Sequence, residues 1–558
     1  MKRYLLLCFL TLCGSPLYAA TTPPAAAIAT AHPLATAAGH EILAAGGNAF
    51  DAAVAITATL AVVEPTGSGL GGGGFWLLHR AKNGYQTMLD GRERAPLAAH
   101  RDMYLDAKGD VIPGLSMDGP LAAGIPGIPA GLAHLAQHYG VLPLSKTLAP
   151  AIRHARNGFA VSESYRRMAQ FRLEALRKSS AAASIFLHEN NVPPVGHLLQ
   201  QPDLANTLEA IAKQGAAGFY SGPVADKLIN GVRRAGGIWT HKDLTSYRLL
   251  ERQPVQGKYR GIRITSAAPP SSGGITLISA LNILAGYDPK TLDPTLNPTG
   301  RTHLIVEALR RAYRDRAIYL GDPDHVAVPM ARLTDPLYAD GLRASIRPDR
   351  ATPSNALPGN ATLSAGSDTT HFSVLDKQGN RVAATLSINF PFGSGFVAPG
   401  TGVLLNDEMD DFSAKPGVPN IYGLVGGEAN AIAPGKRPLS SMSPTFLESK
   451  HGVAILGTPG GSRIISMVLL GALDFAAGNN PSSWVSLKRF HHQFLPDVVQ
   501  HEPDTFSAEQ ATSLTELGHT LKEVTDPYGN MQAILWDRKK NKVTAASDPR
   551  GEGMATVR

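Results

Sequence analysis

Residues 367–390 read SDTTHFSVLDKQGNRVAATLSINF, and the fold turns on how they are read. A small polar break gives way to two threonines and a histidine. Two alternating runs follow, separated by KQGN, which is the pattern of a β-hairpin. In the second run Val382, Ala384, Leu386, Ile388 and Phe390 share one face, while Ala383, Thr385, Ser387 and Asn389 share the other. A turn centred between Gln378 and Gly379 pairs Thr369 with Ile388, and a one-residue bulge moves it opposite Ser387 or Asn389. Either way Thr369 stands within one cross-strand step, roughly 5 to 8 Å, of both polar residues. Upstream, residues 342–367 are rich in Pro, Ser, Asn and Gly without periodicity, which predicts an exposed linker leading to Thr369.

A threonine hydroxyl is a poor nucleophile unless a base takes its proton. Making the threonine the first residue of a chain supplies that base. An α-amine, with a pKa of about 7.7 to 8.0, is available near neutrality, whereas a lysine at about 10.4 is not. The chemistry requires a cut between Asp368 and Thr369, and a flexible segment before a rigid hairpin suits one. Taken alone, two threonines at the start of a strand are ordinary β formers, so other segments have to decide.

The first residues, MKRYLLLCFLTLCGSPLYAA, run from a basic start through an apolar stretch to small residues suited to cleavage after Ala19 or Ala20. They predict a signal peptide over residues 1–19 and a periplasmic or secreted protein. Both cysteines, Cys8 and Cys13, lie in this segment. Cysteine nucleophiles, disulfides and cysteine metal sites are therefore excluded from the mature chain. The formal charge of +7 is dispersed among acids, which argues against nucleic acid as a partner, and no later apolar run is long enough for stable membrane insertion.

Residues 27–63 predict two alanine-rich helices separated at Gly46 and Gly47, with Asn48 capping the second. The glycine-dense EPTGSGLGGGGFWL then enters a strand at 75–78; it lacks the spacing of a dinucleotide or phosphate loop. Residues 301–320 predict a scaffold helix with a Glu307–Arg311 pair. His491 and His492 point to opposite faces if extended, with no third ligand at metal spacing, so neither a metal nor another cofactor is expected. His371 projects to the same side as Thr369 and is expected to support the site by hydrogen bonding.

The segments TTHFSVLD, EPTGSGLGGGGFWL, GRERAP, LLNDEMDDFSAKPGVPNIYGLVGG, RPLSSMSPT, LGTPGGSR and RFHHQFLPD occur in one order along the chain. Together they resemble the γ-glutamyltransferase (γ-glutamyltranspeptidase) family of N-terminal nucleophile hydrolases, over about residues 25 to 550. The resemblance implies an α/β chain folded as a four-layer αββα sandwich, formed jointly by two fragments of a self-cleaving precursor. These are a large subunit of 20–368 and a small subunit of 369–558, held as a heterodimer.

It further implies Thr369 as nucleophile and Ser387 where the family often has a second threonine bonded to it. Gly460 and Gly461 match the oxyanion hole. Arg92 matches the α-carboxylate ligand, assisted by Ser440 and Ser441, and Asn389, Glu408 and Asp411 match the residues that hold the α-amino group. Residues 415–427 match a lid with Tyr422 its gate. The implied activity is transfer of the γ-glutamyl group of glutathione or related amides to water, amino acids or peptides. The alternatives are a glutaryl or cephalosporin acylase of the same class and a non-catalytic periplasmic γ-glutamyl-binding protein.

Overall fold

A computed structural model describes residues 22–357, 369–415 and 427–558. The expected signal peptide, Asp368, Tyr422 and nearly all of the expected lid lie outside these residues. Two antiparallel sheets stack at the centre. The first runs, edge to edge, through Met554–Val557, Ala27–Thr30, Thr370–Leu375, Arg381–Ser387, Gly73–Arg80, Tyr85–Gly91 and Leu250–Arg252. The second runs through Lys542–Ser547, Gln532–Asp537, Gly452–Gly457, Thr445–Glu448, Ile262–Ser266 and Val255–Tyr259.

Alternation sorts the side chains of the first sheet into two cores. Ile28, Trp76, Phe372, Val374, Val382, Ala384 and Leu386 pack against a helical layer that includes Ala49–Val63. Ala27, Ala29, Phe75, Leu77, Leu375 and Ala383 pack toward the second sheet. That sheet is backed by the helices Gly273–Ala285, Pro298–Tyr319 and Ile464–Ala476. The layers are therefore helix, sheet, sheet, helix, the αββα sandwich the resemblance implied. In the first sheet, strands from before residue 369 interleave with strands from after it; in the second, four strands from after it join two from before it at one edge, Thr445–Glu448 against Ile262–Ser266.

The hairpin forms with Thr370 opposite Leu386, so one further step sets Thr369 opposite Ser387, the bulge-shifted register. The polar face of the second strand is not solvated, because it looks into the space between the sheets. There the His371 ring packs on the backbone of Gly457, where an added Cβ would fall 2.3 Å from a ring carbon.

Three expectations need correction. Ala27–Thr30 is a strand and not the start of a helix, since both its edges find partners, Thr370–Leu375 and Met554–Val557. Pairing on both sides overrides the helical preference of alanine. The helices that follow, Pro33–Ala44 and Ala49–Val63, match the expectation, and Asn48 closes a capping box with Asp51. The glycine-rich segment enters its strand earlier, at Gly73, and the strand runs to Arg80. Finally, the segment from 342 to 357 is not a free linker. Its first residues complete the helix Pro336–Ala344. Thr352 Oγ1 donates to Glu307 at 2.6 Å and Ser354 N–H to Asp497 at 2.6 Å, so its polar residues satisfy one buried and one partly exposed carboxylate.

Candidate active site

Thr369 stands at the head of its strand, 8% exposed. The neighbouring strand ends at Ser387, and the chain then turns through Asn389, a non-glycine residue at φ 71°. This left-handed conformation is one that asparagine tolerates better than most residues. It lets the Asn389 N–H donate to Ser387 Oγ at 2.8 Å and the side-chain amide donate to the Asp407 carbonyl at 3.1 Å. The glycine-rich loop closes over the same strand end. A Cβ at Gly72 would fall 2.1 Å from the Ser387 carbonyl oxygen, a contact only glycine allows.

On the far side of the strand Thr370 Oγ1 donates to Glu64 Oε2 at 2.6 Å. Glu64 caps the end of the helix Ala49–Val63, and burial pushes its acid up to about 7. A carboxyl raised in the folded state holds its proton there after the unfolded chain has lost it. Its contribution to stability is full below about 4.5 and is lost as the pH rises through about 7. Relative to Glu64→Gln, the wild-type chain should lose about 3 kcal/mol between those limits. Denaturant unfolding of both chains at pH 5, 6, 7 and 8 checks this, since the difference cancels every other titrating group; a constant difference would refute it.

Arg92 follows the strand Tyr85–Gly91, and its backbone N–H donates to Asp90 at 3.0 Å. Its guanidinium is saturated. Nε donates to the Pro438 carbonyl at 3.1 Å, Nη1 to Glu408 and to Glu93 at 3.5 Å, and Nη2 to Asp411 and to the Leu439 carbonyl at 3.3 Å. These contacts account for all five N–H groups of an arginine. Burial works against its charge, but Glu408, Asp411 and Glu93 outweigh burial and hold the guanidinium firmly protonated.

The same burial raises all three acids, Glu408 to about 7, with Arg92 pulling it back down. Glu408 lies in the short helical turn Glu408–Asp411. Just before it, Asn406 clamps the turn to the glycine-rich loop, donating to the carbonyls of Gly71 at 2.6 Å and Gly124 at 2.7 Å. Among the described residues, Glu408 Oε2 has no hydrogen-bond partner although it is buried.

Ser440 and Ser441 follow the two carbonyls that Arg92 holds. Gly460, at φ 136°, and Gly461, at φ 55°, form a turn in conformations that side chains disfavour, leading into the helix Ile464–Ala476. Their successive backbone N–H groups suit an oxyanion, because no side chain obstructs approach.

One cavity brings together Thr369, Ser387, Asn389, Arg92, Glu408, Asp411, Ser440, Ser441 and Gly461. Gly460 adjoins this lining without being part of it. The cavity also holds residues the sequence reading did not single out: Arg316, Leu439, Met442, Ser462 and Ile464. Arg316 carried a signal. On the helix Pro298–Tyr319 it stands four residues after Ala312, on the stripe of Ile305 and Leu309, so a charged residue occupies a core-facing position.

His371 makes its hydrogen bonds inside the hairpin and not to Thr369. Burial pushes its imidazole down to about 3, and the ring nitrogens pair with Thr385 Oγ1 at 2.8 Å and Ser373 Oγ at 3.3 Å. His491 pairs with Ser466 and Gln493, and His492 with Asp497. Among the described residues, no group of three or more His, Cys, Asp or Glu side chains is disposed to hold a metal.

The family model described as Gamma-glutamyltranspeptidase matches residues 35–557. The glutathione hydrolase proenzyme of Pseudomonas sp. (strain A14) is 43% identical over 535 residues, covering 94% of this chain and 92% of its own. The crystal structure of Helicobacter pylori gamma-glutamyltranspeptidase is 43% identical with a TM-score of 0.57, covering 59% of this chain and 93% of its own. That of a cephalosporin acylase from Bacillus halodurans is 29% identical with a TM-score of 0.83, covering 96% of both chains.

Proposed function

The chain belongs to the gamma-glutamyltranspeptidase family, and from that premise we propose that it is a γ-glutamyltransferase and glutathione hydrolase that cuts itself before Thr369. The observation that carries the reading is the cavity in which a threonine at a strand head shares its walls with an arginine and two carboxyls. A γ-glutamyl group ends in a carboxylate and an ammonium on one carbon. Its carboxylate takes over the Arg92 N–H groups that Glu408 and Asp411 now occupy, and the released carboxyls receive the ammonium. The internal ion pairs are thus exchanged for external ones, and no buried charge is left unpaired.

The cut frees the α-amine of Thr369, which takes the proton from Thr369 Oγ as the oxygen attacks the γ-carbonyl carbon. Ser387 steadies the hydroxyl, and the N–H groups of Gly460 and Gly461 receive the oxyanion. The leaving amine departs with the transferred proton, and the γ-glutamyl group remains as an ester on Thr369. Water, or the amine of an amino acid or dipeptide, then attacks the ester and restores the hydroxyl. The interleaving of strands across residue 369 supports a heterodimer of 20–368 and 369–558 that stays folded after the cut. The basic, apolar and small residues at the start of the chain support export to the periplasm or beyond, which fractionation after osmotic shock tests. No helix of the described residues is long and apolar enough to cross a membrane.

The acylase reading differs at one atom group, the α-ammonium. A pocket with buried carboxyls poised for an ammonium rejects an analogue lacking it, because those carboxyls lose their partner. γ-Glutamyl-p-nitroanilide should therefore be turned over in preference to its glutaryl analogue by on the order of 10²-fold or more. Preference for the glutaryl compound would overturn the proposal.

A further inference from the structure

The geometry points to Arg316 as a positioning residue that makes Ser441 a hydrogen-bond donor to the substrate's α-carboxylate. This rests on the cavity being the γ-glutamyl site. Arg316 is 4% exposed and lines that cavity, yet among the described residues it has no carboxylate partner. Its partners are hydroxyls: Nε donates to Ser272 Oγ at 2.8 Å and Nη2 to Ser441 Oγ at 3.1 Å.

A guanidinium only donates. Ser441 Oγ is therefore the acceptor in this contact, and its own hydrogen has to be spent elsewhere. Ser272 passes the constraint on to Ser440. Its Oγ, accepting from Arg316, donates to the Ser440 carbonyl at 2.7 Å, and its N–H donates to the same oxygen at 2.8 Å. One buried cation thereby fixes the backbone of Ser440 and the hydroxyl polarity of Ser441.

Arg92 holds the carbonyls of Pro438 and Leu439 just upstream. The serine pair is gripped by an arginine at each end. The two arginines differ in one respect, since Arg92 is saturated by carboxyls and Arg316 is not. Burial, and to a lesser degree the charge of Arg92, lower Arg316 to about 10 although Tyr313 and Asp411 pull the other way, so the guanidinium still lacks a directly bonded anion. An incoming carboxylate supplies it, and the Ser441 hydroxyl, polarised by the guanidinium behind it, is oriented to meet that carboxylate.

Steady-state kinetics with γ-glutamyl-p-nitroanilide tests the assignment in wild type, Arg316→Met, Arg316→Lys, Ser441→Ala and the Arg316→Met/Ser441→Ala pair. Arg316→Met should raise KM about tenfold, the worth of one hydrogen bond to a charged group. kcat and cleavage into two fragments should stay close to wild type. In the Ser441→Ala background the same change should raise KM less than threefold, because the larger part of its effect passes through the Ser441 hydroxyl and only the hold on the Ser440 backbone remains. Arg316→Lys keeps the charge without the planar fork that reaches Ser272 and Ser441 together, so its KM should lie between.

If effects on KM multiply in the double variant, or if kcat and cleavage fall in step with KM, Arg316 is a structural residue and the assignment is overturned. Should Arg316→Met fail to fold, an unchanged KM in Arg316→Lys overturns it equally. A wild-type protein that is cut but ignores γ-glutamyl-p-nitroanilide removes the reading of the pocket, and this inference with it.

Discussion

Thr369→Ala yields one uncut chain with no measurable γ-glutamyl turnover. The substitution removes the oxygen that the proposed mechanism uses both to cut the preceding bond and, after the cut, to carry the γ-glutamyl ester. Among the described residues no neighbouring group is suited to substitute for it. Both cysteines lie in the first 19 residues, and Ser387 sits across the hairpin on a neighbouring strand, bonded to the Asn389 N–H. Loss of a covalent nucleophile costs on the order of 10⁴ in rate or more. Thr369→Ser keeps the oxygen and drops the methyl, so it should still be cut, more slowly. Denaturing electrophoresis and N-terminal sequencing of the smaller fragment read both results. A Thr369→Ala chain that is cut and active would refute the assignment.

The same residue shows where sequence reasoning succeeds. Strict alternation in 370–388 marks the hairpin, because a strand period of two is a local property that needs no knowledge of neighbours. Register was open by one residue, since it depends on turn geometry, and the shifted register is the one that forms. Ala27–Thr30 illustrates the opposite case. Four small residues become a strand only because partners from 370–375 and 554–557 arrive on both edges, and nothing in AIAT records either. Residues 342–357 misled for a related reason. Thr352 and Ser354 read as loop residues, while their role is to satisfy Glu307 and Asp497, which are remote in sequence.

At the site, residues in distinctive short motifs were legible and Arg316 was not, because it is one of four arginines in EALRRAYRDRAIYL and nothing local separates it from Arg310, Arg311 and Arg314 until the partners of each are seen. Its core-facing position becomes informative only when combined with serines 125 and 44 residues away in sequence.

Arg92→Lys should raise KM for γ-glutamyl donors on the order of 10²- to 10³-fold while leaving the cut at Thr369 intact. Lysine preserves one positive charge among Glu93, Glu408 and Asp411, so the carboxyls are not left facing one another. It offers three donors from a single point where arginine offers five in a plane. In the wild type those five serve two carbonyls and three carboxyls at once. A lysine has to abandon the carbonyls of Pro438 and Leu439 or part of the acid cluster. Either choice removes two or more charge-assisted hydrogen bonds, each worth about 1.5 to 3 kcal/mol. Such a loss is felt in substrate binding because, in the proposed binding mode, the same N–H groups are the ones a substrate carboxylate takes over. Thr369 and Ser387 make none of these contacts, which is why cleavage should proceed. Initial rates over a wide donor range, with electrophoresis of the same preparation, separate the two effects; a KM within threefold of wild type would remove Arg92 from the carboxylate site.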